Sequence, residues 1–309
     1  MSKYLITGGA GFIGSHIAEK LIRMGEKVRI IDNFETGKKE NLINIKNKIE
    51  LIKGDIRNEK DLNTALKKVD FVLHQAALRS VPRSIEDPIS SNDVNVSGML
   101  LLLKLSAEHK VKKFVFASSS SVYGDNPTLP KRENQLPMPI SPYAATKLTG
   151  ENYCKVFSKI YGLQTIVLRY FNVFGPKQDP KSQYAVVVPK FITSALTGKT
   201  IEIHGDGKQS RDFTYIDNVV SANILAAKCK YSGEIFNVAC NKNYSLLDLI
   251  KLIEKLSGTK MKYKFTESRI GDVKHTLADI SKIRKMLNYK VLVNFETGIE
   301  RTIEYFKNL

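Results

Sequence analysis

The sequence has few of the residues that mark several classes of protein. It holds three cysteines and no tryptophan among 309 residues. Cys154, Cys229 and Cys240 form no C-x-x-C pair, and their odd number argues against a disulfide framework. The longest strongly apolar stretch, Met99 to Leu103, is too short to span a bilayer, and the N-terminal segment lacks a signal-like apolar region. We therefore expect a cytoplasmic protein that does not interact with membranes.

Acidic residues are also in short supply. There are 48 Lys plus Arg against 31 Asp plus Glu, which gives a formal net charge of +17. The basic residues are scattered in pairs such as Lys38-Lys39 and Lys67-Lys68, without long basic runs or interleaved aromatics. This pattern favours a solvated lysine-rich surface over a nucleic-acid site, and a polyanionic small substrate would also suit it.

Strand-like and helix-like segments alternate along the first half of the chain. The strand-like segments are 3–7, 27–31, 49–53, 70–74, 113–117 and 164–169, and helical segments lie at 12–24 and near 59–68, 94–109 and 144–161. Such alternation predicts an α/β fold with a Rossmann-type, doubly wound parallel sheet.

The pattern changes after the sixth strand. A loop-like segment, 172–183, precedes a helix at 186–197, a strand at 200–204, a helix near 217–229, a strand near 234–238 and helices near 246–256 and 296–307. We expect a first domain over 1–173, to which a segment near 213–240 returns, and a smaller C-terminal α/β substrate domain over 174–309.

The segment TGGAGFIG (residues 7–14) places a G-x-x-G-x-x-G pattern between a strand and a helix. Gly8 would permit the tight turn, Gly11 would let the backbone approach a pyrophosphate, and Gly14 would let the helix pack on the strand. Asp32 ends the second strand, where its carboxylate suits a ribose 2′-hydroxyl and repels a 2′-phosphate. The combination favours a dinucleotide site, and NAD over NADP, against a merely structural glycine turn.

Two further sequence patterns contain polar residues that suit a ligand site. Tyr143 and Lys147 lie one helical turn apart after the Ser141-Pro142 helix start, so an ammonium would lower the pKa of a phenol that acts as a general base. Spacing alone would favour a surface pair over a catalytic one. The segment FASSSSVYG (residues 116–124) follows a strand, where ligands bind in open α/β sheets, although an ordinary serine-rich turn fits its composition equally well.

Together the glycine motif, the serine cluster and Y-x-x-x-K resemble the extended short-chain dehydrogenase/reductase superfamily, and within it the nucleotide-sugar epimerases. The resemblance runs from residue 3 to residue 307. The segments HQAALRSVPRSIEDP (74–88), RYFNVFG (169–175) and GDVKHTLAD (271–279) resemble UDP-N-acetylglucosamine 4-epimerases of the UDP-glucose 4-epimerase family. Arg79 departs from the small residue expected at its position.

The resemblance implies a role for each matching position. Catalysis would fall to Ser119, Tyr143 and Lys147. The NAD site would comprise Gly8, Gly11, Phe12, Ile13, Gly14, Asp32, Asn33, Asp55, Ile56, Ala76, Asn95, Tyr143, Lys147 and Tyr170. The UDP-sugar would contact Ser80, Arg83, Ser119, Ser120, Ser121, Asn172, Val188, Arg211, Arg269, Asp272 and Thr276. Arginines at 211 and 269 also suit diphosphate oxygens on general grounds. No metal site is expected.

The implied reaction is reversible 4-epimerisation of a UDP-hexose through a 4-keto intermediate. The resemblance implies that Thr276 lies at the wall of the sugar pocket, where a small residue would admit an N-acetyl group. We therefore expect UDP-GlcNAc and UDP-GalNAc, with UDP-glucose and UDP-galactose as additional substrates. The alternatives are an epimerase restricted to non-acetylated sugars, a UDP-glucuronate epimerase or decarboxylase, a dehydratase, and a binding protein without activity. Uncharged Ser120 and Ser121 disfavour the dehydratase and decarboxylase, and the complete catalytic set disfavours the binding protein. The resemblance also implies a homodimer.

Overall fold

The computed structural model describes residues 1–180, 187–267 and 274–309. The strands are β1 (Lys3–Thr7), β2 (Lys27–Asp32), β3 (Ile49–Lys53), β4 (Phe71–His74), β5 (Lys113–Ser119), β6 (Thr165–Tyr170), β7 (Val173–Phe174), β8 (Ile201–His204), β9 (Ser210–Arg211), β10 (Thr214–Tyr215), β11 (Glu234–Val238), β12 (Tyr244–Ser245) and β13 (Tyr263–Thr266).

The α-helices are α1 (Phe12–Arg23), α2 (Glu59–Leu66), α3 (Val81–Glu86), α4 (Pro88–Asn92), α5 (Met99–Glu108), α6 (Pro142–Ile160), α7 (Val187–Thr197), α8 (Ile216–Lys228), α9 (Leu246–Ser257), α10 (Ser281–Leu287) and α11 (Phe295–Lys307). Two 3₁₀ segments, Lys39–Lys48 and Ser120–Tyr123, and a π-helical segment, Asp93–Gly98, lie between them. Among the described residues, no helix is long and apolar enough to cross a membrane.

Seven strands form one parallel sheet in the order β3-β2-β1-β4-β5-β6-β11. The order reverses between β1 and β4, and the crevice at such a switch point is where open α/β sheets bind ligands. The predicted doubly wound α/β fold is confirmed. The last strand, β11, comes from the segment 213–240 and pairs with β6.

Hydrophobic side chains fill a layer on each face of this sheet. Because side chains alternate along a strand, Ile6 and Ile30 enter one core cluster while Leu5 and Ile31 enter the other. Both faces are covered, so the strands read as continuous apolar runs in the sequence. This is why the sequence predicted them.

The later part of the chain contains short elements that the sequence did not predict. The segment expected as a loop from residue 172 contains β7, which pairs in parallel with β10. The two-residue strands β9 and β12 pair in antiparallel fashion, and β13 pairs in parallel with β8. Elements this short carry too few residues to show a period.

Candidate active site

The turn between β1 and α1 is shaped for close approach of a ligand. Gly8 has a φ of +67°, and a Cβ there would lie 2.7 Å from the backbone nitrogen of Ala76. A Cβ on Gly14 would lie 2.4 Å from the Gly8 carbonyl oxygen, so α1 packs tightly on the turn. Gly11 caps α1 without a side chain, which leaves the N–H groups of the first turn for an anion.

A cleft opens above this turn at the switch point of the sheet. The predicted cofactor residues that line it are Gly8, Gly11, Phe12, Ile13, Gly14, Asp32, Asn33, Asp55, Ile56 and Ala76. The glycine cradle and the unfilled helix N-terminus fit the pyrophosphate of a dinucleotide. The residues present therefore fit NAD.

Asp32 lies at the carboxyl end of β2 on the wall of this cleft. Its Oδ2 accepts from the Ala10 amide at 2.9 Å and its Oδ1 from the Phe34 amide at 2.8 Å. Burial raises the pKa of Asp32, and the two amides oppose that rise. A carboxylate has about four acceptor positions, so it can accept from ribose hydroxyls as well.

Asp55 and Asn33 form a neighbouring polar cluster. Asn33 Nδ2 donates to Asp55 Oδ2 at 3.0 Å, and Arg57 donates to both oxygens of the same carboxylate. The guanidinium of Arg57 holds the pKa of Asp55 well below its usual range. Asp55 therefore stays ionised and acts only as an acceptor toward a ligand.

Two predicted cofactor residues lie behind the lining of the cleft. Asn95 is buried and holds the Leu78 backbone, accepting from its N–H at 2.8 Å and donating to its carbonyl at 3.0 Å. The hydroxyl of Tyr170 lies 3.2 Å from Gln75 Oε1 and 2.8 Å from Asn223 Nδ2. Since Leu78 and Gln75 both line the cleft, Asn95 and Tyr170 support its wall.

Tyr143 is carried on the first turn of α6. The hydroxyl of Ser141 accepts from the Ala144 amide at 3.2 Å and caps the helix, while Ser84 Oγ accepts from the Tyr143 amide at 3.0 Å. Burial raises the pKa of Tyr143, while a hydrogen bond with Ser119 and the charge of Arg79 oppose the rise. The predicted pair of Ser119 and Tyr143 is thus brought together.

Lys147 lies one turn further along α6 and is 4% exposed. Its ammonium donates to the Ala117 carbonyl at 2.9 Å and lies 5.8 Å from the centre of the Tyr143 ring. Burial lowers the pKa of Lys147 to about 8. The ammonium of Lys147 is directed at a strand carbonyl, and the charge of Arg79 opposes the rise in the pKa of Tyr143. That Lys147 also lowers this pKa stays a prediction.

An ion pair that the sequence reasoning missed lies behind Lys147. Glu151, one turn further along α6, accepts from Arg169 Nη2 at 2.6 Å and Nε at 2.9 Å, and from Ser118 Oγ at 2.5 Å. Both side chains of the pair are at most 2% exposed. The sequence could have indicated Glu151, because residues 143, 147 and 151 are spaced four apart and share one face of the helix.

The serine cluster at the end of β5 is ordered by its own hydroxyls. Ser119 Oγ accepts from Ser121 Oγ at 2.9 Å and from the Ser121 amide at 3.2 Å. With both lone pairs engaged, the proton of Ser119 is left for an acceptor oxygen. Ser120 and Ser121 lie in the following 3₁₀ turn, and they bring no carboxylate to this position.

The segment after β4 carries three polar residues at the rim. Ser80 has a φ of +108° and caps α3, where its Oγ accepts from the Arg83 amide at 3.4 Å. Arg83 pairs with Glu35 at 2.6 Å across the cleft rim. Arg79 is exposed on the cleft wall and brings a cation that suits phosphate oxygens.

A second cleft begins where the first one ends, and Val173 borders both. The predicted substrate residues Asn172, Val188 and Arg211 line it. Thr276 lies beside it, since Thr276 Oγ1 accepts from Asn172 Nδ2 at 3.1 Å. The predicted residues Arg269 and Asp272 lie outside the described residues.

The family model for the NAD dependent epimerase/dehydratase family matches residues 4–239. The chain belongs to this family. NAD is accordingly its cofactor, as the sequence predicted.

Individual relatives match almost the whole chain. A putative UDP-glucose 4-epimerase of Methanocaldococcus jannaschii is 40% identical over 307 residues, 98% of each chain. The solved UDP-N-acetylglucosamine 4-epimerase of Methanobrevibacter ruminantium, in complex with UDP-N-acetylmuramic acid, has 43% identity and a TM-score of 0.95, covering 99% of this chain and 98% of its own. The UDP-glucose 4-epimerase of Thermotoga maritima, solved with UDP-glucose, has 37% identity and a TM-score of 0.95, covering 99% of both chains.

Proposed function

We propose that the protein catalyses the reversible 4-epimerisation of a UDP-hexose, and that it interconverts UDP-GlcNAc and UDP-GalNAc as well as UDP-glucose and UDP-galactose. The observation that carries the proposal is that Ser119, Tyr143 and Lys147 come together at the end of β5 and the first turns of α6, where Ser119 acts on the pKa of Tyr143 and the buried Lys147 ammonium lies 5.8 Å from the centre of the Tyr143 ring. Three relatives that match almost the whole chain bear names of UDP-sugar 4-epimerases.

The residues of the site can move the proton that this reaction needs. NAD held in the cofactor cleft would supply the hydride acceptor and donor for sugar carbon 4. Tyr143, once deprotonated, removes the proton from the 4-hydroxyl, and Ser119 donates a hydrogen bond to the same oxygen. Arg79 and Ser119 both stabilise the phenolate form of Tyr143. Return of the hydrogen to the opposite face of the 4-keto sugar inverts carbon 4.

The acetylated sugars are favoured by the size of Thr276. Its side chain is held by the Asn172 amide group and the Asp212 backbone N–H, at 3.1 and 3.2 Å, and it fills little space beside the second cleft. The alternatives are an epimerase restricted to plain hexoses, a UDP-glucuronate epimerase or decarboxylase, and a dehydratase. The decarboxylase and the dehydratase are disfavoured because Ser120 and Ser121 supply no carboxylate for decarboxylation or elimination.

The test is to incubate the purified protein, with no NAD added, with UDP-GlcNAc, UDP-glucose or UDP-glucuronate, and to resolve the 4-epimers by NMR. We expect conversion of the first two. Tyr143→Phe should lower the rate by about 10²- to 10⁴-fold, since it removes the proton-transfer group. Conversion of UDP-glucose alone would establish the narrower epimerase, and a fully active Tyr143→Phe variant would refute the assigned chemistry.

We also propose that the protein is a cytoplasmic homodimer with an NAD-binding domain over 1–173, to which a segment near 213–240 returns, and a UDP-sugar-binding domain over 174–309. The exposed apolar side chains Ile89, Val156 and Ile160 on α4 and α6 support an interface there. The molar mass of the purified protein, measured by light scattering, distinguishes a dimer from a monomer.

A further inference from the structure

Asp212 is a fully buried carboxylate that the proposed reaction leaves without a role. It lies on the connection between β9 and β10 and is 0% exposed. Its neighbours Arg211 and Phe213 both line the second cleft, whereas Asp212 itself does not. Within residues 1–180, 187–267 and 274–309, no lysine or arginine donates to this carboxylate. Burying a carboxylate without a counter-ion is unfavourable, so its presence beside a cleft indicates a specific role.

Backbone N–H groups take the place of a counter-ion. Asp212 Oδ1 accepts from the Cys240 amide at 2.9 Å. Its Oδ2 accepts from the amides of Asn241 at 3.0 Å and Ala278 at 3.2 Å. Burial raises the pKa of Asp212 to about 7, and these hydrogen bonds oppose the rise. The carboxylate thereby ties the chain that follows β11, and the segment that carries Thr276, to the connection between β9 and β10.

The backbone of Asp212 contacts two residues of the proposed substrate site directly. Its N–H donates to Thr276 Oγ1 at 3.2 Å, and its carbonyl accepts from Asn172 Nδ2 at 3.2 Å. Asn172 Nδ2 also donates to Thr276 Oγ1 at 3.1 Å, so three hydrogen bonds join these three residues. Asn172 lines the second cleft, and Thr276 lies beside it. A shift of the Asp212 backbone would therefore move both side chains.

We propose that Asp212 is a positioning residue for the UDP-sugar, whose carboxylate holds its own backbone in the place where it orients Asn172 and Thr276. Asp212→Asn keeps one acceptor oxygen, while its new amide N–H groups face at least one backbone N–H, so at least one of the carboxylate's hydrogen bonds is lost. Ser119 and Tyr143 belong to β5 and α6, so the loss should leave proton transfer intact. The inference rests on the proposed function and concerns how tightly the sugar nucleotide binds.

The test compares KM and kcat of Asp212→Asn with those of the wild type, using whichever UDP-sugar the wild type converts. We expect KM to rise by about 10-fold or more while kcat stays within about threefold. A purely structural role would give the opposite result, because partial unfolding removes active enzyme, which lowers kcat and leaves KM unchanged. Asp70→Asn is the matched control, since the Asp70 carboxylate accepts from the Lys3 amide at 2.8 Å at the amino end of the sheet, and its KM should equal that of the wild type.

A binding measurement separates a failure of this inference from a failure of the proposed function. UDP alone is titrated into each protein by calorimetry, and the bound NAD is quantified as a check on folding. We expect Asp212→Asn to bind UDP about 10-fold more weakly or worse, at unchanged NAD content. No binding of UDP by the wild type would refute the proposed function, whereas equal KM and equal UDP affinity in the wild type and Asp212→Asn would overturn the role of Asp212.

A second variant keeps the inference testable if Asp212→Asn does not fold. Thr276→Val removes the hydroxyl that accepts from the Asp212 N–H and from Asn172, and it leaves the buried carboxylate in place. We expect it to weaken UDP binding in the same direction. Unchanged UDP affinity in Thr276→Val would then overturn the proposal.

Discussion

At the residue scale, the choice of sugar depends on Thr276. We expect Thr276→Tyr to lower kcat/KM for UDP-GlcNAc by about 100-fold or more, because a bulky ring would occupy the space of the N-acetyl group. Turnover of UDP-glucose should change little. The measurement is kcat/KM for each sugar, with Thr276→Ser as the control that keeps the hydroxyl bonded to Asn172 and Asp212. An equal loss with both sugars would contradict the assignment.

Single residues also show where sequence reasoning succeeds and where it ends. Gly8, Gly14 and Asp32 were predictable because their roles depend on the local chain, namely a left-handed turn, a close helix contact and a strand end. The direction of the Lys147 side chain and the effect of Arg79 on the pKa of Tyr143 were not predictable in this way. Helical spacing pointed to Lys147, but the direction of the Lys147 side chain is set by the Ala117 carbonyl on a different element.

At the element scale, α6 is attached to the sheet by the buried pair of Glu151 and Arg169. We expect Glu151→Gln to lower the free energy of unfolding by about 3–5 kcal/mol, because it leaves a guanidinium buried without its counter-charge. Unfolding in urea measures this loss. The double variant Glu151→Leu with Arg169→Met leaves no guanidinium buried without its counter-charge, so it should be more stable than Glu151→Gln. If the two variants are equally unstable, the pair contributes packing rather than charge.

Elements were predictable in proportion to their length. The strands of the parallel sheet are buried on both faces and read as apolar runs, and α6 shows its start through Ser141 and Pro142. Helices α3, α4 and α10 have five to seven residues, fewer than two helical turns, and carry no resolvable period. Yet α3 supplies Ser84, which anchors the first turn of α6 at Tyr143. The contact of Ser84 with the first turn of α6 could therefore not be predicted from the sequence.

At the scale of the whole molecule, the sheet order and the two adjoining clefts emerge only from contacts between distant segments. Strand β4 lies between β1 and β5 in the sheet, and its last residue, His74, is buried beside the switch point. His74 is 2% exposed, its Nδ1 lies 2.7 Å from Thr7 Oγ1, and its ring stacks on Phe116. Burial, with a smaller effect from the charge of Lys147, lowers the pKa of His74 to about 3.

This buried histidine should make the whole fold sensitive to acid. In the unfolded chain His74 binds a proton below a pH of about 6.5, whereas in the folded protein it stays neutral down to about pH 3. The free energy of unfolding therefore falls as the pH falls through that interval. The loss is at most about 1.4 kcal/mol per pH unit. His16, whose pKa is also lowered by burial, acts in the same direction. We expect His74→Gln to lose less stability than the wild type between pH 7 and pH 5 in urea unfolding. The acidic residues common to both proteins cancel in this comparison, so identical slopes would mean that His74 is not the group that titrates.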